Sequence, residues 1–449
     1  MTRRRHRTRI PEGEHEAAVN DVAHDGRGVA RVGDKAVFIQ GALTGERVMF
    51  RYTRRKRSYD EGVVTQVLEA APERVQPRCP HYAICGGCSL QHMAPEAQVA
   101  AKQQVLRDNL AQIGKVTPQQ ILPPLLNDTP WGYRRKARLG VKYMRREQVV
   151  RVGFRERSSS FLADLQRCEV LHPRIGERIA DMAELVGALS IKDQIPQIEV
   201  AVGDEHAALV FRHLAELSES DLERLSDFGR RHQLLIFLQP GGPQTVTRLW
   251  PAVGEWPEEP VLSYALPRFD VELEFQPTDF TQVNAGINRL MIERAFELLE
   301  PQANERILDL FCGLGNFSLP LARLAGQVVG VEGEAGLVAR ARENAVRNEL
   351  GNVEFHATDL NGDLSLEPWY GAGFDKLLLD PPRSGAPVVV ANLPKPLPGR
   401  MVYVSCDPAT LARDAGVLVN EQGYRLVSAG VMDMFPHTAH VESIALFER

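Results

Sequence analysis

Residues 309–318, DLFCGLGNFS, read as a β-strand running into a glycine-rich turn and then a helix. Gly313 and Gly315 let backbone approach a ligand closely. The next apolar run, QVVGVEGE (327–334), places Glu332 19 residues past Gly313. An acid at the end of a second strand can accept hydrogen bonds from both hydroxyls of a ribose. The third glycine of the dinucleotide fingerprint is missing, with Phe317 and Ser318 in its region. No pyrophosphate cradle remains, so the pattern suits a nucleoside without phosphates. S-adenosylmethionine is therefore favoured over a nicotinamide dinucleotide. Asp359, in FHATDL, follows a third strand and can meet an adenine amino group. LLLDPPRSG (377–385) sets Asp380 at the end of a fourth. Ligands of open α/β sheets bind at the carboxyl ends of the strands, where these positions converge. From residue 262 onward strands and helices alternate, which predicts a parallel sheet covered by helices. Cys312, inside the turn, reads as a small packing residue.

MVYVSCDPATLARDAG (401–416) is a strand ending at Cys406, with Asp407 as helix N-cap and Pro408 as first helical residue. The positive end of the helix dipole is expected to favour the thiolate. A nucleophile beside a methyl-donor site suits carbon 5 of a pyrimidine, which is a poor nucleophile by itself. A thiolate added to carbon 6 makes carbon 5 enolate-like, and a base must later remove the carbon 5 proton. Glu442, in HTAHVESIALF (437–447), shares strand parity with Ile444 and Leu446. A carboxylate on an apolar face has its pKa raised, which suits proton abstraction. His437 and His440 read as structural or supporting. An amino-methyltransferase would instead place an aromatic after the two prolines, where Arg383 stands.

The chain of 449 residues is 44% hydrophobic and 25% charged, a globular composition long enough for about three domains. No run of 18 apolar residues exists and no apolar segment follows the basic start, so neither a membrane span nor a secretory signal is expected. Residues 1–60 hold 14 Lys and Arg against 8 Asp and Glu, although the whole chain carries −5. A basic head on an acidic body, beginning at Arg3–Arg9, suggests a polyanionic partner. Residues 9–70 read as five or so short strands split by glycine turns, a small OB-like barrel. Arg54, Arg55, Lys56 and Arg57 form its last loop, placed for phosphate. In PEAQVAAKQQVLRDNLAQIG (95–114) Leu106, Leu110 and Ile113 recur at helical spacing. Residues 131–157 hold ten Lys and Arg against two acids, interleaved with Trp131, Tyr133, Tyr143 and Phe154. Basic groups neutralise phosphates and aromatics stack bases, so this strip is expected to meet nucleic acid. Cys79, Cys85 and Cys88 fall within ten residues, with Cys168 the other cysteine outside the C-terminal domain. This 3+1 arrangement leans to [4Fe–4S] over zinc, which more often uses paired CxxC.

These segments together resemble the RNA (uracil-C5)-methyltransferases over nearly the whole chain. GRGVARVGDKAVFIQGALTGERV (26–48) is similar to their TRAM domain, and CPHYAICGGCSLQH (79–92) to their cluster loop. DFTQVNAGIN (279–288), DLFCGLGNFSLPLA, LLLDPPRSG, VSCDPATLARD and DMFPHTAHVE (433–442) follow in the family's order. The resemblance implies three domains: a TRAM barrel (9–70), a central α/β domain carrying [4Fe–4S] (71–261), and a Rossmann-like class I methyltransferase domain (262–449). It implies Cys406 as nucleophile and Glu442 as base, with Gln282, Phe311, Asn316, Glu332, Asp359 and Asp380 binding S-adenosylmethionine. It also implies Cys79, Cys85, Cys88 and Cys168 as iron ligands. A chain with both TRAM domain and cluster is expected to act on 23S ribosomal RNA, as a cytoplasmic monomer. A tRNA or another ribosomal uridine stays open as the alternative target.

Overall fold

A computed structural model describes residues 10–256 and 259–449; the basic stretch Arg3–Arg9 lies outside them. The chain divides into two compact units. One takes in the chain up to Val105 together with Phe435–His440, and the other takes in Leu106–Met434 and Val441–Arg449. Among the described residues no helix is long and apolar enough to cross a membrane.

In the first unit, strands His15–Val22, Gly28–Val32, Lys35–Gln40, Arg47–Arg55 and Tyr59–Glu69 close into a barrel. Alternation drives this closure. Val37 and Ile39 of KAVFIQ, and Val48 and Phe50 of RVMFRY, turn inward and are fully or almost fully buried. The expected loop at 54–57 is shorter: Arg54 and Arg55 still belong to the strand, Arg54 and Arg57 are exposed, and Arg55 is drawn to the buried Asp60 at 3.4 Å.

Glu46 is 1% exposed at the barrel's edge. Its carboxylate accepts from Leu43 N at 2.8 Å and from Arg74 Nη2 at 2.7 Å. Burial by itself raises its pKa, but Arg74 and the backbone donors hold it below the ordinary value. Arg74→Ala therefore strands a buried charge and is expected to cost about 3–5 kcal/mol of stability in urea unfolding. With a depressed folded pKa, the stabilisation is full above the ordinary carboxylate value. It is lost as pH falls through the lowered one.

The second unit holds two large sheets and a ribbon. The six-stranded sheet runs in the order Thr247–Trp250, Leu235–Gln239, Ala207–Arg212, Gln197–Val202, Lys136–Met144, Val149–Gly153. The basic strip supplies its last hairpin. Much of that charge is already neutralised: Arg138 by Glu199 at 3.0 Å, Arg145 by Asp193 at 3.1 Å, and Arg151 by Glu147 at 2.8 Å. Lys136 is held inside, its Nζ donating to Pro277 O at 2.6 Å. Two sequence expectations need correction. Tyr133 is 5% exposed and cannot stack a base, because its neighbours Gly132 and Arg134 hydrogen-bond to Glu169 and Val170 and draw it into the core. Ile113 is 47% exposed, because the helix Pro95–Asn109 ends in a π-wound turn, Leu110–Gly114, that rotates it off the apolar face.

The eight-stranded sheet runs Val353–Ala357, Gln327–Glu332, Arg306–Leu310, Lys376–Leu379, Arg400–Ser405, Glu442–Glu448, Arg425–Met432, Gln120–Ile121. Runs such as LLL (377–379) and MVYV (401–404) are apolar throughout because a parallel sheet is covered on both faces. The sheet departs from all-parallel at one strand. Glu442–Glu448 runs antiparallel to both its neighbours. A reversed strand begins at the edge where the parallel strands end. This is what brings Glu442 to the carboxyl edge.

Candidate active site

Strand Arg306–Leu310 ends in a tight turn. Phe311 takes φ +66°, Gly313 +57° and Gly315 +96°. For Phe311 this left-handed conformation costs about 1–3 kcal/mol, so its surroundings must enforce it. They do: the N–H groups of Phe311 and Cys312 both donate to Val331 O, at 2.8 and 3.1 Å. A Cβ at Gly313 would meet nothing within 4 Å, so the turn leaves open space there. Glu332, ending the neighbouring strand, accepts from Gly313 N at 3.2 Å and Glu334 N at 3.0 Å. Each of its oxygens keeps a lone pair for a ribose hydroxyl.

Thr358 N donates to Glu332 O at 2.9 Å, so Asp359 follows directly beside this acid. Asp359 is exposed, and its Oδ1 accepts from Asn361 N at 3.0 Å. Asn316 is less available than its sequence position suggests. Its Oδ1 accepts from Tyr264 Oη at 2.8 Å and from Asn288 Nδ2 at 3.0 Å, and its Nδ2 donates to Asn288 Oδ1 at 2.9 Å. The side chain braces the turn, leaving one amide hydrogen for a ligand. Cys312 is 3% exposed, and burial pushes its thiol well up, in keeping with packing.

Asp309 was not singled out by sequence. It is fully buried, accepts from Ser318 Oγ at 2.5 Å, and burial pushes it up to about 8. Phe280 was also missed. It is 67% exposed, two residues before Gln282, and an exposed ring in a polar run leaves no periodic signal. Phe161, 65% exposed in the segment after the basic hairpin, escaped for the same reason.

Gln282 Nε2 lies 3.4 Å from Asp380 Oδ2. Burial pushes Asp380 up to about 7, which the Gln282 hydrogen bond opposes. Cys406 follows strand Arg400–Ser405, and Asp407 caps the next helix, Pro408–Asn420, accepting from Ala409 N at 3.0 Å. Ser405 pairs with Ser443 in the antiparallel ladder. One step further along this register Cys406 stands opposite Glu442, which is 3% exposed. Burial raises the Glu442 pKa well above the carboxylate range, and Asp380 adds to this while Arg383 opposes it.

The expected thiolate is not the resting form. Burial, reinforced by Glu442 and Asp380, pushes the Cys406 thiol up to about 11, and Arg383 lowers it only in part. Desolvation and two neighbouring acids outweigh the helix dipole, whose effect is typically under about 2 kcal/mol. Alkylation of Cys406 by iodoacetamide is accordingly expected to be slow at pH 7 and to rise about tenfold per pH unit toward pH 11. Asp380→Asn should move this rise to lower pH. A plateau below pH 8, read by peptide mass spectrometry, would contradict both.

A family model described as tRNA (Uracil-5-)-methyltransferase matches residues 267–449. Over 445 residues the chain is 54% identical to the 23S rRNA (uracil(1939)-C(5))-methyltransferase RlmD of Alkalilimnicola ehrlichii, covering 99% of each chain. The chain belongs to the RNA (uracil-C5)-methyltransferase family. The RlmD of Xanthomonas campestris is 54% identical over 448 residues, again 99% of each chain. That of Nitrosococcus oceani is 53% identical, covering 98% of this chain and 97% of its own. The fold also matches the crystal structure of the Pyrococcus abyssi tRNA (uracil-54, C5)-methyltransferase in complex with S-adenosyl-L-homocysteine. There the TM-score is 0.72 and the identity 23%, over 96% of this chain and 99% of that one.

In this RNA (uracil-C5)-methyltransferase, Gln282, Glu332, Asp380, Cys406 and Glu442 all sit at the carboxyl edge of the eight-stranded sheet or on the loop that reaches it. Cys79, Cys85 and Cys88 lie half-buried on one turn-rich loop of the first unit, and Cys168 is half-buried in the second. Gly87 N donates to Cys85 Sγ at 3.3 Å. Among the described residues no group of three or more His, Cys, Asp and Glu side chains is arranged to hold a metal ion.

Proposed function

We propose that this chain methylates carbon 5 of a uridine in 23S ribosomal RNA, the one numbered 1939 in its relatives' names, forming 5-methyluridine. The single observation that carries the mechanism is the Ser405–Ser443 pairing, which, continued by one step, sets Cys406 opposite the buried Glu442, whose carboxyl acts on the thiol. The Cys406 thiol gives its proton to solvent, and its sulfur bonds to carbon 6 of the uracil while the carbon 5–carbon 6 π pair moves onto carbon 5. S-adenosylmethionine, when bound, supplies an electrophilic methyl on a sulfonium sulfur. Glu442, whose burial makes it a stronger base than an ordinary carboxylate, accepts the carbon 5 proton. The sulfur then leaves carbon 6 by elimination and takes the proton held by Glu442, which restores the free enzyme.

Glu332 takes the ribose hydroxyls and Asp359 the adenine amino group. Gln282, Phe311, Asn316 and Asp380 complete the donor site, Asn316 chiefly by holding the turn in shape. Phe280 offers an exposed ring on which the flipped uracil can stack. The barrel acts as a TRAM domain, with Arg54 and Arg57 meeting phosphates. On the central sheet the exposed Lys142, Arg146 and Arg155 hold the RNA electrostatically, and Phe161 offers a second ring. Cys79, Cys85, Cys88 and Cys168 would hold a [4Fe–4S] cluster. The half-buried thiols and the N–H donor on Cys85 are the donor chemistry such a cluster needs. Bound there, it would be structural, since no electron moves in the methyl transfer. The enzyme is read as a cytoplasmic monomer. Mapping 5-methyluridine in ribosomal RNA from cells with and without this protein tests the target: one 23S site is expected to disappear, and loss from tRNA instead would refute it.

A further inference from the structure

We propose that Ser89, Gln98 and Lys102 are positioning residues for Glu442: they clasp the turn Phe435–His440, from which the chain enters the strand beginning at Glu442. The inference rests on the base role proposed above for Glu442.

The clasp grips the backbone of the turn at three points. His437 O accepts from Ser89 N and Leu90 N, both at 2.9 Å, and His437 N donates to Gln98 Oε1 at 2.9 Å. Ala439 N donates to Ser89 Oγ at 3.0 Å. Lys102 Nζ donates to Phe435 O at 2.9 Å. Gln98 is 2% exposed, and its Nε2 also donates to Leu90 O at 3.0 Å and Met93 O at 2.8 Å. One buried amide thus joins the cysteine loop, the helix Pro95–Asn109 and the turn.

Buried polar groups are tolerated when hydrogen-bonded, as Gln98 is, and a satisfied network rigidifies the segments it joins. His437 takes φ +66°, a conformation a non-glycine residue holds only when its surroundings fix it. Glu442 is the first residue of its strand, so the ladder restrains it from one side of the chain only. The clasp restrains the other side, ending three residues before it. Because Ser89 directly follows Cys88, the cysteine loop forms one jaw. A base displaced by roughly 1 Å loses on the order of 100-fold in proton transfer.

The experiment uses full-length protein, S-adenosylmethionine and a target RNA. It reads the rate of 5-methyluridine release and the fraction of protein in a denaturation-resistant RNA adduct. In Gln98→Leu and Ser89→Ala, release is expected to fall on the order of tenfold while the adduct fraction rises. Ser89→Thr, which keeps the hydroxyl, should restore both. A merely structural defect would lower release and adduct together, and that result, or wild-type behaviour in both variants, overturns the clasp. Should Gln98→Leu fail to fold, the half-buried Ser89 decides through its pair of variants. Glu442→Gln is run alongside. If it accumulates no adduct, the base role fails and the clasp with it. If it does and the clasp variants do not, the clasp alone is wrong.

Discussion

Cys406→Ala is expected to abolish 5-methyluridine formation, by at least on the order of 10⁴-fold, while leaving S-adenosylmethionine binding unchanged. The size follows from the chemistry. Carbon 5 of uracil cannot attack a sulfonium methyl at a useful rate unless carbon 6 carries an added nucleophile. Cys406 is the thiol at the carboxyl edge with a carboxylic acid opposite it; Cys312, the other cysteine in this sheet's domain, is buried in packing. In the proposed site, donor binding rests on Glu332 and the glycine turn, which do not involve the thiol. Methyl transfer from labelled donor to RNA, with donor affinity by calorimetry, checks both halves. Turnover within tenfold of wild type would refute nucleophilic catalysis.

Glu442→Gln is expected to stop the cycle one step later. Addition and methyl transfer proceed, but the carbon 5 proton stays. Release of product should fall about 10²–10⁴-fold, the usual worth of a positioned base. The covalent protein–RNA complex should then build up and survive denaturing electrophoresis. The amide is isosteric and removes a carboxyl that is fully buried, so the fold should hold. Normal turnover with no adduct would assign proton removal elsewhere.

What could be read from sequence was what is local. The glycine turn, the spacing to Glu332 and the Asp407–Pro408 cap are set by neighbours within one turn or one strand, and the structure has them in place. The pairing of Cys406 with Glu442 is not local. It spans 36 residues of sequence and depends on one strand running backwards between two others. Parity put Glu442 on an apolar face, but its partner came from register. The thiol's protonation failed for a related reason: the helix dipole is visible in sequence, while the acids facing the sulfur are assembled by the sheet. Asn316 reads as a ligand from its place in the turn, and its hydrogen bonds to Asn288 and Tyr264, which reach it across 28 and 52 residues of sequence, could not be read there. Tyr133 and Ile113 were misjudged because composition and helical period say nothing of backbone pairing or of a π turn.

The central claim is tested most directly with an RNA substrate carrying 5-fluorouridine at the target position. Fluorine cannot depart as a cation, so elimination is blocked after methyl transfer and the complex is held. Digestion and mass spectrometry should find one peptide containing Cys406 bonded to a methylated 5-fluoropyrimidine nucleotide. An enzyme that consumes the donor on this RNA without forming that bond, or that forms it through another residue, would contradict the mechanism.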